Sequence, residues 1–209
     1  MIVTIASYKG GVGKTTTAIH LAAYLSTLAP TLLIDGDAIR AATKWSQRGK
    51  GFPFKVVDTT QTAKYAREYV KGHIVIDTEA NPSNVDFAAV VDGCDLLVIP
   101  AVPETTATDG LAFTLSKLGE IKSERFKVLL TKVPPKPRTD GEQLRQSLVK
   151  QKIPIFKSEI PQLVAFDRAS ENGALVYEIK DERAARAWQS YESAAKEIFS
   201  PRTSSKQIR

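Results

Sequence analysis

Residues 6–16 read ASYKGGVGKTT, and they follow at once on the apolar run IVTI. A loop that cradles phosphate has the pattern G-x-x-x-x-G-K-[ST]: its glycines let backbone N–H groups converge on phosphate oxygens, and the helix that follows adds its positive end. Gly13, Lys14 and Thr15 supply the last three positions, but five residues before Gly13 stands Tyr8, not glycine. The loop carries instead a second cation, Lys9, followed by Gly10 and Gly11. Lys14 is placed to reach the β- and γ-phosphates of a nucleotide, and the Thr15 hydroxyl to bind Mg²⁺.

Outward from this loop, short β-branched runs alternate with segments of helical period, the pattern of a parallel sheet covered by helices. Strands are expected at Ile2–Ser7, Thr31–Asp37, Phe54–Val57, Ile74–Asp77, Leu96–Ile99, Val128–Thr131 and Ile153–Phe156. Their near-continuous apolar character suits strands buried on both faces. Helices are expected at Thr15–Ser26, Ala63–Lys71, Val85–Val91, Thr105–Ile121, Gly141–Gln151 and Glu182–Phe199. The proline-rich KVPPKPRTDG is too short for a domain linker, and the tail SPRTSSKQIR lacks apolar content and is expected to fray. The expectation is one α/β domain over 1–199 with a short basic tail at 200–209.

Magnesium takes oxygen ligands in near-octahedral geometry, so carboxylates should lie at the ends of strands beside the loop. HIVIDTEA delivers Asp77 after three apolar residues, and LLIDGDA offers Asp35 and Asp37 two apart, projecting alike from an extended backbone. An unpaired acid at a buried strand end costs several kcal/mol, which favours a functional role.

Composition narrows the classes. A chain of 209 residues with 43% hydrophobic and 25% charged residues suits one globular core. Its single cysteine, Cys94, excludes an internal disulfide and a four-cysteine metal site, and fits a reducing cytoplasm. No apolar run suggests a membrane span, and MIVTIAS is not a signal peptide. The net charge of +6 is concentrated: ten cations face three anions between Ile121 and Lys157, and seven face four between Lys180 and Arg209. Such an excess suits either a soluble basic surface or a polyanion as partner, most simply nucleic acid.

KGGVGKTT resembles the deviant Walker A motif of the ParA/MinD ATPases, K-G-G-x-G-K-[TS]-[TS]. LLIDGDA resembles the family's second acidic motif, with Ala38 where proline is usual. IVIDTEANPS resembles its Walker B segment, and SEIPQLVAFDRASENGALVYE the segment after the last strand. The resemblance implies the three-layer P-loop NTPase fold and a phosphate site built by Lys9, Gly10, Gly11, Val12, Gly13, Lys14, Thr15 and Thr16. It further implies a Mg²⁺ site of Thr15, Asp37 and Asp77, with Asp37 also positioning the attacking water, and adenine beside Thr131, Lys132 and Pro161. Lys9 matches the signature lysine, which in relatives reaches the partner subunit's nucleotide when two protomers sandwich two ATP molecules.

Within that family, iron–sulfur branches need paired cysteines, and MinD-like proteins end in an amphipathic membrane helix that the tail, with Ile208 its one large apolar residue, does not offer. Metabolic relatives such as dethiobiotin synthetase lack the Lys-Gly-Gly signature. The resemblance favours the small ParA type, and implies a cytoplasmic, nucleoid-associated ATPase that binds nonspecific DNA as an ATP dimer and answers to a ParB-like or McdB-like adaptor; a MinD-like membrane-associated ATPase and a metabolic P-loop enzyme stand as the alternatives. A helix-turn-helix domain before the loop is not expected, because the first strand starts at residue 2. DGDAIRAATKW resembles the cyanobacterial carboxysome-positioning relatives, the McdA kind, more than plasmid partition ATPases. Arg183, Arg186, Lys196, Lys150 and Lys152 are the cations expected on helices of the basic half.

Overall fold

The computed structural model describes residues 1–80 and 82–199; the tail expected to fray lies outside them. Seven parallel strands form one sheet in the order β3-β2-β4-β1-β5-β6-β7. They are β1 (Ile2–Ile5), β2 (Thr31–Gly36), β3 (Lys55–Asp58), β4 (His73–Thr78), β5 (Leu96–Ala101), β6 (Phe126–Val133) and β7 (Ile155–Pro161). The helices are α1 (Lys14–Leu25), α2 (Ala41–Arg48), α3 (Thr62–Tyr65), α4 (Asn84–Asp92), α5 (Thr105–Glu120), α6 (Asp140–Lys150), α7 (Val164–Glu171) and α8 (Ala184–Phe199).

The β-branched and leucine-rich strands alternate their side chains between two cores. Val3, Ile5, Leu33 and Leu129 face the core built with α1, α2, α7 and α8, while Leu97, Ile99, Val128 and Leu130 face the one built with α4, α5 and α6. Helices therefore cover both faces, as expected for the three-layer P-loop fold. α1 is buried nearly all round, from Thr17 to Ala23 and at Leu25, because it lies between the sheet and α8. α8 meets it with Ala187, Tyr191, Ala194 and Ala195, small residues flanking one large ring, which lets the two helices approach closely. The end of α8 is tied to the sheet by Glu197, which accepts hydrogen bonds from the backbone N–H groups of Lys157 and Ser158 at 2.8 and 2.7 Å and from Lys127 at 3.2 Å.

Three expectations are corrected. The helix expected at 63–71 is a four-residue α-turn followed by a 3-10 turn over Ala66–Tyr69, with no buried residue to hold a longer helix. α2 and α7 were not expected as helices. β7 extends to Pro161, five residues past its expected end, because it pairs along β6 as far as Val133.

Candidate functional site

The carboxyl ends of β1, β2, β4, β6 and β7 converge on one edge of the sheet, where ligands bind in open α/β folds. β1 passes directly into the glycine loop, and the loop into α1. Gly11 and Gly13 adopt φ of 75° and 86°, the left-handed region, which glycine enters without strain. Gly13 thereby turns the chain into α1 with the first helical N–H groups facing the loop. The loop is pinned from the far side by Thr131, whose hydroxyl donates to the Val12 carbonyl at 2.8 Å.

Lys14 is 7% exposed, and its amine donates to the carbonyls of Lys9 at 3.2 Å and Ser7 at 3.5 Å. Burial lowers its pKa, opposed by the charges of Asp77 and Asp37. Asp77 stands in register with Ile5 on one side and Asp35 on the other. It is fully buried, and neither carboxylate oxygen makes a hydrogen bond. Burial pushes the Asp77 carboxyl up to about 7; the Thr15 hydroxyl beside it and Lys14 act against this, Asp35 and Asp37 with it. A buried carboxylate without donors, next to a threonine hydroxyl at a phosphate loop, is a site that a hard divalent cation fits.

Asp35 and Asp37 do not act alike. The strand ends at Gly36, so the two carboxylates diverge. Asp35 is consumed structurally: it accepts from the Thr43 N–H and hydroxyl, both at 2.7 Å, and from the Asp37 N–H at 3.2 Å, capping the first turn of α2. Asp37 accepts only locally, from Ile39 N–H at 2.9 Å, and opens into the cleft.

That cleft has a volume of about 760 Å³, of the size that holds a small ligand. Gly10, Gly11, Gly13, Lys14, Thr15, Thr16 and Asp37 line its loop end, and Thr131, Lys132 and Pro161 line the same cavity; of the other expected residues, Lys9 and Val12 are not in the lining, Val12 packing on Val102, and Asp77 is buried beside Thr15 and Lys14. Sequence reasoning missed Trp45 and Phe166 in its wall, because α2 and α7 bear too few large apolar residues to show a stripe. Behind the wall, His20 of α1 stacks on Tyr191 at 4.9 Å, and its Nδ1 donates to the Thr16 carbonyl at 2.7 Å. Nε2 accepts from the Val176 N–H at 3.2 Å, which fixes the neutral tautomer and joins the loop's helix to the segment after α7.

Tyr8 answers the missing glycine. Its ring packs on Phe87 of α4 and edge-on against Phe113 of α5 at 5.1 and 4.8 Å. Lys9 is only partly buried and is not among the residues lining the cleft.

Residues 3–176 match the profile of the CobQ/CobB/MinD/ParA nucleotide-binding domain family. The chain belongs to the ParA/MinD family. It is 31% identical over 202 residues to the maintenance of carboxysome distribution protein A of Gloeobacter kilaueensis, covering 94% of this chain and 93% of that protein. Among solved structures, MinD from Aquifex aeolicus superposes with a TM-score of 0.73 at 16% identity, covering 94% of this chain and 95% of that one. The Cyanothece McdA(D38A)–ATP complex superposes with a TM-score of 0.69 at 17% identity over 94% of this chain and 95% of that one. The two superpositions give the shared fold and do not separate the branches; the sequence identity leans to the carboxysome relative.

Among the described residues no helix is long and apolar enough to cross a membrane. The basic residues flank one edge of the sheet: α6 and α8 pack on opposite faces beside β7. Part of the expected excess is neutralised by acids distant in sequence, in the pairs Lys127–Glu197, Arg145–Glu159 and Arg125–Asp92. Lys150, Lys152, Lys157, Arg183 and Arg186 are exposed and form no ion pair among the described residues.

Proposed function

We propose that this ParA/MinD-family protein is a Mg²⁺-dependent ATPase that closes as a dimer over two ATP molecules. In that state it binds DNA without sequence preference, and it lets go when an adaptor protein stimulates hydrolysis. The observation that carries the reading is the pair of lysines: Lys14 is buried and lines the cleft, whereas Lys9 is partly exposed and stays out of its lining. In one protomer Lys14 and the N–H groups of residues 10–16 hold the phosphates. Lys9 extends to the nucleotide of the facing protomer, where a cation stabilises charge developing on the transferred phosphoryl group. Asp37, facing the cleft with little else to bond, orients the attacking water. Thr15 and Asp77 are the residues that would hold Mg²⁺, which when bound neutralises charge on the phosphate oxygens. Thr131, Lys132 and Pro161 border the base.

A γ-phosphate adds contacts that a diphosphate lacks, so ATP favours the closed dimer over ADP. Doubling the exposed cations beside β7 then raises affinity for a polyanion, since each phosphate neutralised releases a counterion. The likeness to a carboxysome distribution protein favours carboxysomes over plasmids or chromosomes as the cargo, with an adaptor of McdB-like or ParB-like kind and residence on the nucleoid.

The test is binding to a random-sequence DNA duplex with ATP or ADP over a salt series. ATP-dependent binding that weakens steeply with salt is expected. Equal binding with both nucleotides, or capture by anionic liposomes in place of DNA, would refute the reading.

A further inference from the structure

Lys9 is not held by its own loop alone. The backbone of Tyr8 and Lys9 lies along one face of α5, on residues 110, 113 and 114, one turn apart. The Tyr8 N–H donates to the Thr114 hydroxyl at 3.4 Å, and the same hydroxyl donates to the Gly110 carbonyl at 2.7 Å. Phe113 meets the Tyr8 ring edge-on. At Gly110 the two segments touch: a Cβ there would lie 2.7 Å from Lys9 Cβ, 3.4 Å from its Cγ and 3.6 Å from its Cα. The obstacle is the stem of Lys9 next to the backbone, not the movable end of its side chain, so it cannot swing clear cheaply. Gly119, on the same helix, faces nothing within 4 Å.

The geometry points to Gly110 as the positioning residue for Lys9: a glycine given up at position 8 of the loop is matched by one on α5, whose bare backbone seats the lysine stem and sets the direction in which the cation leaves the loop. This rests on the dimer reading above, in which Lys9 acts on the facing protomer. Lys14 meets Lys9 at its backbone carbonyl, whereas Gly110 meets the side-chain stem, so displacing that stem alters self-association and leaves the phosphate grip of the single protomer in place.

The experiment measures two quantities in Gly110→Ala, Gly119→Ala and Lys9→Ala: affinity for a fluorescent ATP analogue, and ATP-dependent self-association by sedimentation. Gly110→Ala should bind nucleotide within about twofold of the parent and lose about tenfold or more in self-association, with no further loss when combined with Lys9→Ala, as expected of contacting residues. Gly119→Ala should match the parent in both. If Lys9→Ala fails to associate while Gly110→Ala associates normally, Gly110 has no positioning role and the dimer reading stands. If Lys9→Ala itself associates normally, the dimer reading falls, and the role of Gly110 with it. A parallel loss of nucleotide affinity in Gly110→Ala would also overturn the proposal, since it would mean a damaged loop. Should Gly110→Ala not fold, the double variant Lys9→Gly, Gly110→Ala removes the two clashing atoms and should melt with Lys9→Gly alone; a double variant that is also unfolded refutes the contact.

Discussion

Replacing His20 by Gln tests how the phosphate helix is anchored to the back of the cleft. His20 is fully buried, and burial lowers its pKa from 6.5 to about 4, opposed by its hydrogen bond to Thr16. The folded protein therefore keeps the ring neutral, with Nε2 accepting from Val176, while the unfolded chain protonates it near 6.5. A base whose folded pKa is depressed gives stability that is intact above the unfolded pKa. That stability is lost as pH falls through 6.5 and levels off below about 4. Between pH 7.5 and pH 5 the loss amounts to about 2 kcal/mol, and its full extent is on the order of 3 kcal/mol at 1.36 kcal/mol per unit. The chain has two histidines, so a His73→Gln background leaves His20 as its one imidazole. Urea unfolding of that background at pH 7.5 and pH 5, with and without His20→Gln, isolates the effect. His20→Gln should cost about 1–3 kcal/mol at pH 7.5, from lost stacking and the lost Thr16 bond, and should change the stability difference between pH 7.5 and pH 5 by about 2 kcal/mol relative to the background, since the opposing contribution of Asp77 is common to both. Equal losses between pH 7.5 and pH 5 in both proteins would refute the assignment of a neutral, acceptor-bearing ring.

Two further outcomes are expected. Asp77→Asn in Mg²⁺-free buffer should melt higher than the parent at pH 8. The parent's carboxyl, raised from 3.8 to about 7, loses stability as pH rises through that window, so the difference should be about 3 kcal/mol larger at pH 8 than at pH 5 by thermal unfolding. The same variant should lose ATP hydrolysis, and a variant that neither stabilises nor inactivates would remove Asp77 from the site. Lys14→Ala should lower affinity for the fluorescent ATP analogue by at least about a hundredfold, as loss of a buried charge-assisted contact to phosphate implies, with the fold intact by circular dichroism.

Much of this architecture was legible in the sequence because the signals are local. Continuous apolar runs mark the strands, and the strand–loop–helix order places Lys14, Thr15 and Asp77 together before any contact is known. What stayed hidden depends on contacts between distant segments. α2 buries only Ala42 and Trp45, and its first turn is capped by Asp35 from a neighbouring strand, so no apolar stripe announces it. α7 packs through Ala165 and Ala169, residues too small to read as a hydrophobic face. At 63–71 the helical period was present, but no side chain is buried there, and without packing a short helix is marginal. Asp35 and Asp37 look equivalent at spacing two, yet one is spent on α2 and the other faces the cleft. The basic stretch was overcounted for the same reason: Lys127 and Arg145 meet acids 70 and 14 residues away. Gly110 carried no signal at all, since only the fold brings it against Lys9.

In the proposed dimer Lys14 serves its own nucleotide and Lys9 that of a facing copy. Sedimentation of the parent, Lys9→Ala and Lys14→Ala with ATP or ADP, alongside their nucleotide affinities, tests it most directly. The parent should be a dimer with ATP and a monomer with ADP. Lys9→Ala should be monomeric with both yet still bind nucleotide, and Lys14→Ala should bind neither. A parent that stays monomeric with ATP, or a Lys9→Ala variant that dimerises as well as the parent, would contradict it.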